Sequence, residues 1–377
     1  MIVERPALER RVSASLDAGR IPVVLGGCAT GRTSLLLRLE HQLGRDRSQY
    51  SDVSAVATTP ERCLRSIRAA ARWNGHDVAV PTSARAAFDA MLSHFDATTD
   101  TQATPTFLLD EFLDVRTFES FPGLRQVQRE FVARLASSPS RFVLASRFTS
   151  RVHRLLRDAP ARFEVVHIPA LDMDEVQALA LKFESGRRDW AANVAPGVTA
   201  LANGRAGFVM LLLGWLAANG SATDPVAGLA ALLSPDGQAA ARCRESYEFR
   251  LQRARGYGAL KAILGVLAES EPMNLTEIAQ HLQRTPGSTK DYLSWLEDVD
   301  LITARSKRYS FEDPMLRLYV RLYGRVSPPT DDEIVREVAL YARAQLAQTR
   351  PVAAVGAAAA APEPTPDGAR SGIIEID

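Results

Sequence analysis

The run Gly26-Gly27-Cys28-Ala29-Thr30-Gly31-Arg32-Thr33 constrains this chain more than any other stretch. It follows an apolar segment, Ile21-Pro22-Val23-Val24-Leu25, and leads into a helical pattern from Ser34 to Leu39. Strand, glycine loop and helix in that order make a phosphate-binding loop, G-x-x-x-x-G-K-[ST], with Arg32 in the lysine position. The glycines let the backbone curl until its N–H groups converge on an anion. The N-terminus of the following helix adds its positive dipole. Gly26, Gly27, Cys28, Ala29, Thr30, Gly31, Arg32, Thr33 and Ser34 are therefore the expected nucleotide ligands, with ATP the expected cofactor. Thr33 supplies the hydroxyl that such loops place on Mg²⁺.

A second element is Thr106-Phe107-Leu108-Leu109-Asp110-Glu111. An apolar strand here delivers two carboxylates at its C-terminal end, where ligands lie in doubly wound sheets. Asp110 is the expected Mg²⁺ ligand, and Glu111 the expected general base on the attacking water. A third element, Phe142-Val143-Leu144-Ala145-Ser146-Arg147, ends the same way. Ser146 is read as positioning the lytic water. Arg147 has two readings, a phosphate contact or a domain interface.

The surrounding pattern alternates. Strands are expected at 21–25, 54–58, 106–110, 141–146 and 164–168, with helices at 7–17, 33–42, 59–71, 83–97 and 123–136. Alternation with long helices implies an α/β fold, a parallel sheet covered on both faces. Beyond Pro169 the pattern is helical, at 174–183, 190–202, 207–218 and 239–253, with Asp172 an N-cap answered by Glu175. Residues 257–269, 275–282 and 288–299 then read as three helices, with Pro286-Gly287 as a break. Residues 301–304 and 308–311 pair as strands around Arg305-Ser306-Lys307. That order reads as a winged helix-turn-helix. A last helix covers 331–349. The expected domains are a nucleotide-binding core (1–170), a helical lid (171–255), the winged helix (256–326), a C-terminal helix (327–349) and an Ala/Pro-rich disordered tail (350–377).

These elements, in this order, resemble the AAA+ class of P-loop ATPases. Val3-Glu4-Arg5-Pro6 resembles the lead-in that such proteins place against the adenine, which makes Arg5 a candidate nucleotide contact. Ala159-Pro160-Ala161-Arg162-Phe163 with Val166-His167-Ile168-Pro169, and the later Tyr309-Ser310-Phe311-Glu312-Asp313-Pro314, are similar to segments of the archaeal-type and STAND-related members. The resemblance implies an arginine acting in trans on a neighbour's nucleotide: Arg162 as the catalytic candidate, Arg157 in reserve. It also implies nucleotide-dependent homo-oligomers. Arg205, opening a lid helix, is the candidate sensor of nucleotide in cis.

Arg32 departs from that pattern. A guanidinium is larger and planar where an ammonium is compact. Positive charge is retained for binding, while hydrolysis needs the charge placed finely. The expectation is a nucleotide switch that binds ATP and hydrolyses it slowly or not at all. Cys28 in the loop suggests either a low-pKa thiol at a helix N-terminus or a small residue that fits.

The target has two readings. A DNA-acting ATPase would use Thr289 and Lys290 on the third winged-helix helix, and Arg305, Lys307 and Arg308 on the wing, with Tyr292 and Trp295 either contacts or core. A signalling or scaffold ATPase would use the module and the tail for protein partners, with Ile373–Asp377 as either a docking peptide or an inert end. Residues 257–325 hold nine Lys/Arg and nine Asp/Glu, without the basic footprint of a strong DNA binder. Net charge of +1, 24% charged residues and three scattered cysteines read as a cytoplasmic globular chain. The longest apolar stretch, 207–218, is shorter than the roughly 20 residues a membrane span needs.

Overall fold

The computed structural model describes residues 3–71, 81–96, 104–184, 187–220, 223–325 and 327–349. The sheet forms from five short strands: β1 (Ile21–Leu25), β2 (Ser48–Asp52), β3 (Thr106–Asp110), β4 (Arg141–Ser146) and β5 (Phe163–His167). They lie in the order β2-β3-β4-β1-β5, every neighbouring pair parallel. β1 lies inside the sheet, between β4 and β5, and is apolar on both faces. Val24 joins Leu108, Val143, Ala145 and Val166 on one face, under helices α1 (Pro6–Asp17) and α2 (Arg32–Leu43). Val23 and Leu25 join Phe107, Leu109, Phe142 and Leu144 on the other. That second face is covered by α3 (Val53–Val56), α4 (Pro60–Ala70), α5 (Ala84–His94) and α6 (Val127–Ser137), and α7 (Thr149–Leu156) follows β4. The parallel register sets Asp52 beside Asp110 and Leu25 beside Ser146, so the chemistry-bearing residues collect at one edge of the sheet.

One expected strand is misplaced. Residues 54–58 do not pair; the strand is Ser48–Asp52, and 53–56 form a helical turn capped by the Asp52 carboxylate. Ser-Gln-Tyr-Ser-Asp carries no apolar pattern. It becomes a buried edge strand because its polar groups find partners: Ser48 Oγ donates to the Gly44 carbonyl (2.9 Å) and Gln49 Nε2 to that of Ile67 (2.7 Å).

Helices then take over: α8 (Met173–Phe183), α9 (Arg188–Leu201), α10 (Ala206–Ala218), α11 (Pro225–Leu232) and α12 (Gln238–Gln252). α8 begins with the reciprocal cap expected of Asp172 and Glu175. α11, which the sequence reading passes over, starts with Pro225 behind an Asp224 cap.

The C-terminal region runs α13 (Tyr257–Glu269), β6 (Met273–Asn274), α14 (Leu275–His281), α15 (Pro286–Asp298), β7 (Ile302–Arg305) and β8 (Arg308–Phe311), with an antiparallel sheet in the order β6-β8-β7. Pro286-Gly287 opens α15 rather than breaking the chain, because Thr285 caps a helix whose first turn tolerates proline. Ser306 and Lys307 both have positive φ (50° and 63°), the backbone a two-residue hairpin turn requires. α16 (Pro314–Tyr323) and α17 (Asp331–Thr349) return to the helical layer, where the Tyr341 hydroxyl donates to the Leu201 carbonyl at 2.9 Å. No helix among the described residues is long and apolar enough to cross a membrane.

Candidate nucleotide site

The loop leaves β1 and enters α2 through Gly31, whose φ of 95° favours glycine, and Ala29 also sits at positive φ. A Cβ at Gly26 would lie 2.4 Å from Thr30 Oγ1, so the turn closes only around glycine. A cavity of about 290 Å³ opens over the loop, lined among others by Val3, Arg5, Gly27, Ser34, Ile168 and Met210. Arg5 is fixed at its rim, donating to the Pro169 carbonyl at 2.9 Å and lying 3.7 Å from Glu175. α10 is tied to the loop by the Gly207 N–H, which donates to the Ala29 carbonyl at 2.7 Å.

The two acids of β3 meet the loop differently. Thr33 Oγ1 donates to Asp110 Oδ2 at 2.5 Å, and the Tyr50 hydroxyl reaches the same oxygen at 3.3 Å. Burial, and then the charge of Glu111, raises the Asp110 carboxyl above its ordinary range. A cation at this spot would reverse that cost. Hydroxyl and carboxylate side by side are hard oxygen donors, which suit Mg²⁺ completed by phosphate and water. Thr33 and Asp110 therefore fit the metal expected of them.

Glu111 is 4% exposed and sits at φ 50° just past the strand. Its Oε1 accepts from Arg32 Nη2 at 2.7 Å and from Arg147 Nε at 2.8 Å, and its Oε2 accepts from the Arg147 backbone N–H at 3.2 Å. Burial pushes its carboxyl upward, but the two guanidiniums outweigh burial and hold it below the usual range. Arg32 also turns back onto its own loop, donating to the carbonyls of Gly26 and Gly27. The side chain in the lysine position thus binds the acid opposite it.

Other expected site residues are placed as follows. Arg205 donates to the Cys28 carbonyl at 3.2 Å and pairs with Asp313, which caps α16. Ser146 is fully buried, and its hydroxyl accepts the Phe148 N–H at 3.1 Å. It lines neither this cavity nor the adjoining one; its neighbour Arg147 is the residue that reaches inward. Arg162 donates to the carbonyls of Gly19, Leu135, Ala136, Ser138 and Ser140. Those contacts engage its guanidinium inside its own chain, at strand and helix ends. Arg157 is exposed at the end of α7. Burial pushes the Cys28 thiol up, which corrects the reading of a low-pKa thiol.

In the C-terminal region Thr289 is fully buried and bonds the Thr285 carbonyl, so it faces the interior and cannot contact DNA. Lys290, Arg305 and Lys307 are exposed. Arg308 donates to the Pro272 carbonyl at 3.0 Å. Tyr292 and Trp295 are half-buried and meet edge to face. Residues 373–377 lie outside the described residues.

Sequence reasoning missed Arg242 and Arg250, which approach the loop from α12. With Ser246 they are spaced four residues apart and share a helix face, a signal present in the chain but unused.

No family model matches the sequence, and no curated protein does. Among solved structures the chain is similar to the Walker-type ATPase PABY2304 of Pyrococcus abyssi, with a TM-score of 0.65 at 16% identity over 85% of this chain and 96% of that one. It is more distantly similar to the Aeropyrum pernix ORC2 protein in its ADPNP–ADP complexes (TM-score 0.49, 14% identity, 90% and 93% covered). A STAND protein with a tetratricopeptide repeat sensor, PH0952 from Pyrococcus horikoshii, is matched at a TM-score of 0.36 and 18% identity over 93% of this chain and 46% of that one. The latter two likenesses are too slight to argue from. The first, with the sheet order and the loop geometry above, shows that this chain shares the α/β fold of that Walker-type ATPase.

Proposed function

We propose that this protein is a nucleotide-dependent switch that binds Mg·ATP in the loop cavity and hydrolyses it slowly. The observation that carries this reading is the convergence at the sheet edge: the glycine loop, the Thr33–Asp110 pair, and Glu111 held by Arg32. The backbone amides of residues 26–33 would hold the phosphates, and Arg5 would border the base. Thr33 and Asp110 would hold Mg²⁺, which would supply positive charge to shield the phosphates. Glu111 carries negative charge, as a base must, yet its Oε1 is held by two guanidiniums and its Oε2 accepts a backbone N–H. Those contacts compete with a water for the carboxylate and weaken it as a base, which would make turnover slow.

Calorimetry on the full chain with Mg·ATP and Mg·ADP tests the binding. Uptake of neither by folded protein ends the reading. Where ATP binds, Glu111→Gln should retain it and lose residual phosphate release.

For the target, two readings stand. As a winged helix, the C-terminal module would contact DNA through Lys290 and the cations of the β7–β8 turn. As a scaffold, it would bind protein, and one observation favours this second reading. The acidic end of α15 is turned onto the ATPase core: Asp298 pairs with Arg151 at 2.7 Å, and Asp300 accepts the Ser150 N–H at 3.1 Å. Nucleotide-dependent homo-oligomers belong to the same proposal, with Arg157, exposed at the end of α7, taking the trans role because the Arg162 guanidinium is engaged on carbonyls of its own chain.

A further inference from the structure

A second cavity, of about 330 Å³, adjoins the loop at Cys28 and Ala29. Four of its lining side chains are arginines, namely Arg32, Arg147, Arg242 and Arg250; Glu245 and Ser246 complete the ring. One carboxylate thus faces four guanidiniums. Glu111, behind them, is already shared by Arg32 and Arg147. Arg250 is 2% exposed; its Nη1 donates to the Asp300 carbonyl at 2.8 Å, and its Nε has no partner. The Nε of Arg32 is buried and unpartnered as well. Burial lowers the Arg250 pKa from its ordinary value.

Arg242 stands at the mouth and borders both cavities. Among the described residues its guanidinium has no hydrogen-bond or ion-pair partner. The chain leaves room for it: a Cβ at Gly207 would lie 2.5 Å from Arg242 Nη1. Arg242 is exposed there, whereas Arg250 buries its charge against a carbonyl alone, which is costly, and its unmade Nε donor adds to the cost. Planar guanidinium forks match the paired oxygens of phosphate and carboxylate groups, and four of them facing one carboxylate suit a doubly charged anion.

We infer that this cavity is an anion site for one phosphate dianion, and that filling it draws Arg32 and Arg147 off Glu111. The P-loop amides would hold the phosphates along the chain of the nucleotide, whereas this site is built from side chains of α2, of the residue just after β4, and of α12. The dianion is either the terminal phosphate of a nucleotide in the loop cavity or free phosphate. The inference rests on the nucleotide reading only for the first source. Oε1 of the acid at 111 would then be released from both guanidiniums only when the cavity is full.

The test is calorimetry on the full chain with three probes: Mg·ADP, the Mg complex of a non-hydrolysable β,γ-imido triphosphate, and inorganic phosphate added with and without ADP. Arg242→Gln is the variant, chosen because that side chain supports no contact in the fold. Phosphate binding to wild type that weakens about tenfold in Arg242→Gln establishes the site with free phosphate as its source. No phosphate binding, but a preference for triphosphate over diphosphate that falls about tenfold in the variant, establishes it with the nucleotide as source. An unchanged preference together with no phosphate binding overturns the inference, and ADP uptake in the same titration then leaves the nucleotide reading intact. Conversely, phosphate binding in protein that takes up no nucleotide ends that reading and keeps this one.

Discussion

A single substitution of residue type reorganises the site. A lysine's ammonium would point from the loop toward the phosphates; Arg32, longer and forked, bridges two loop carbonyls and Glu111 at once. Arg32→Lys should therefore raise ATP turnover by about tenfold, read as phosphate release at saturating Mg·ATP. Unchanged turnover would place the slow step elsewhere. Two buried groups away from the loop set opposing pH responses. Burial against Phe107 brings His94 down to about 4 from 6.5, so its contribution to stability is complete above pH 6.5 and is lost as pH falls toward 4. Burial brings Asp114 up to about 6 from 3.8, despite Arg253 at 3.2 Å, so its contribution is complete below pH 3.8 and is lost as pH rises through 6. Each amounts to at most about 3 kcal/mol at 1.36 kcal/mol per pK unit. Between pH 4 and 6 the slopes oppose. Denaturant unfolding across that window should steepen toward acid-labile in Asp114→Asn and toward acid-stable in His94→Gln; parallel curves for all three proteins would refute both assignments.

At the level of elements, local chemistry decided most boundaries. Asp172 with Glu175 and Asn274 with Glu277 form reciprocal caps, and α8 and α14 begin there. The capping residue of α16 does more. Asp313 is 2% exposed, accepts the Met315 N–H at 3.0 Å through one oxygen and pairs through the other with Arg205, which itself holds the Cys28 carbonyl of the loop. Loss of a cap costs about 1 kcal/mol, whereas a buried arginine left without its partner costs about 3–5 kcal/mol. Asp313→Ala should accordingly lower stability by about 3 kcal/mol or more in urea unfolding. Asp313→Asn keeps the cap and loses the charge, so it should retain about 1 kcal/mol of that; a loss in Asp313→Ala no larger than a bare cap would show that Arg205 finds another partner. β2 shows where element reading fails. Its polar residues are buried only because β3 lies beside them, and that neighbour is more than 50 residues distant in sequence.

Across the whole molecule, α12 and the C-terminal module are both joined to the sheet and its helices. Arg253, just after α12, pairs with Asp114, Arg147 stacks 4.2 Å over Phe249 of α12, and Asp298 and Asp300 of the module hold the start of α7. A neutral module docked this way leaves few cations for a polyanion. Reversing Arg305, Lys307 and Arg308 to glutamate should change duplex-DNA affinity less than about threefold at moderate salt, measured by fluorescence anisotropy. A drop of tenfold or more, with a steep salt dependence in the parent, would favour the DNA reading over the scaffold one.

By itself the sequence determined what local physics can write: the glycine loop between strand and helix, the acids ending an apolar strand, the helix caps and the hairpin turn. Those signals are short in range, and each rests on one residue's backbone freedom or one side chain's reach. Only the tertiary structure decided which arginines serve the site. Arg162 and Arg147 look alike in the chain, yet one closes backbone carbonyls while the other grips Glu111. Arg242 and Arg250 reach the loop from more than 200 residues away. A guanidinium's role depends on which oxygens the fold brings within about 3 Å of it, and that distance is set by packing rather than by spacing along the chain.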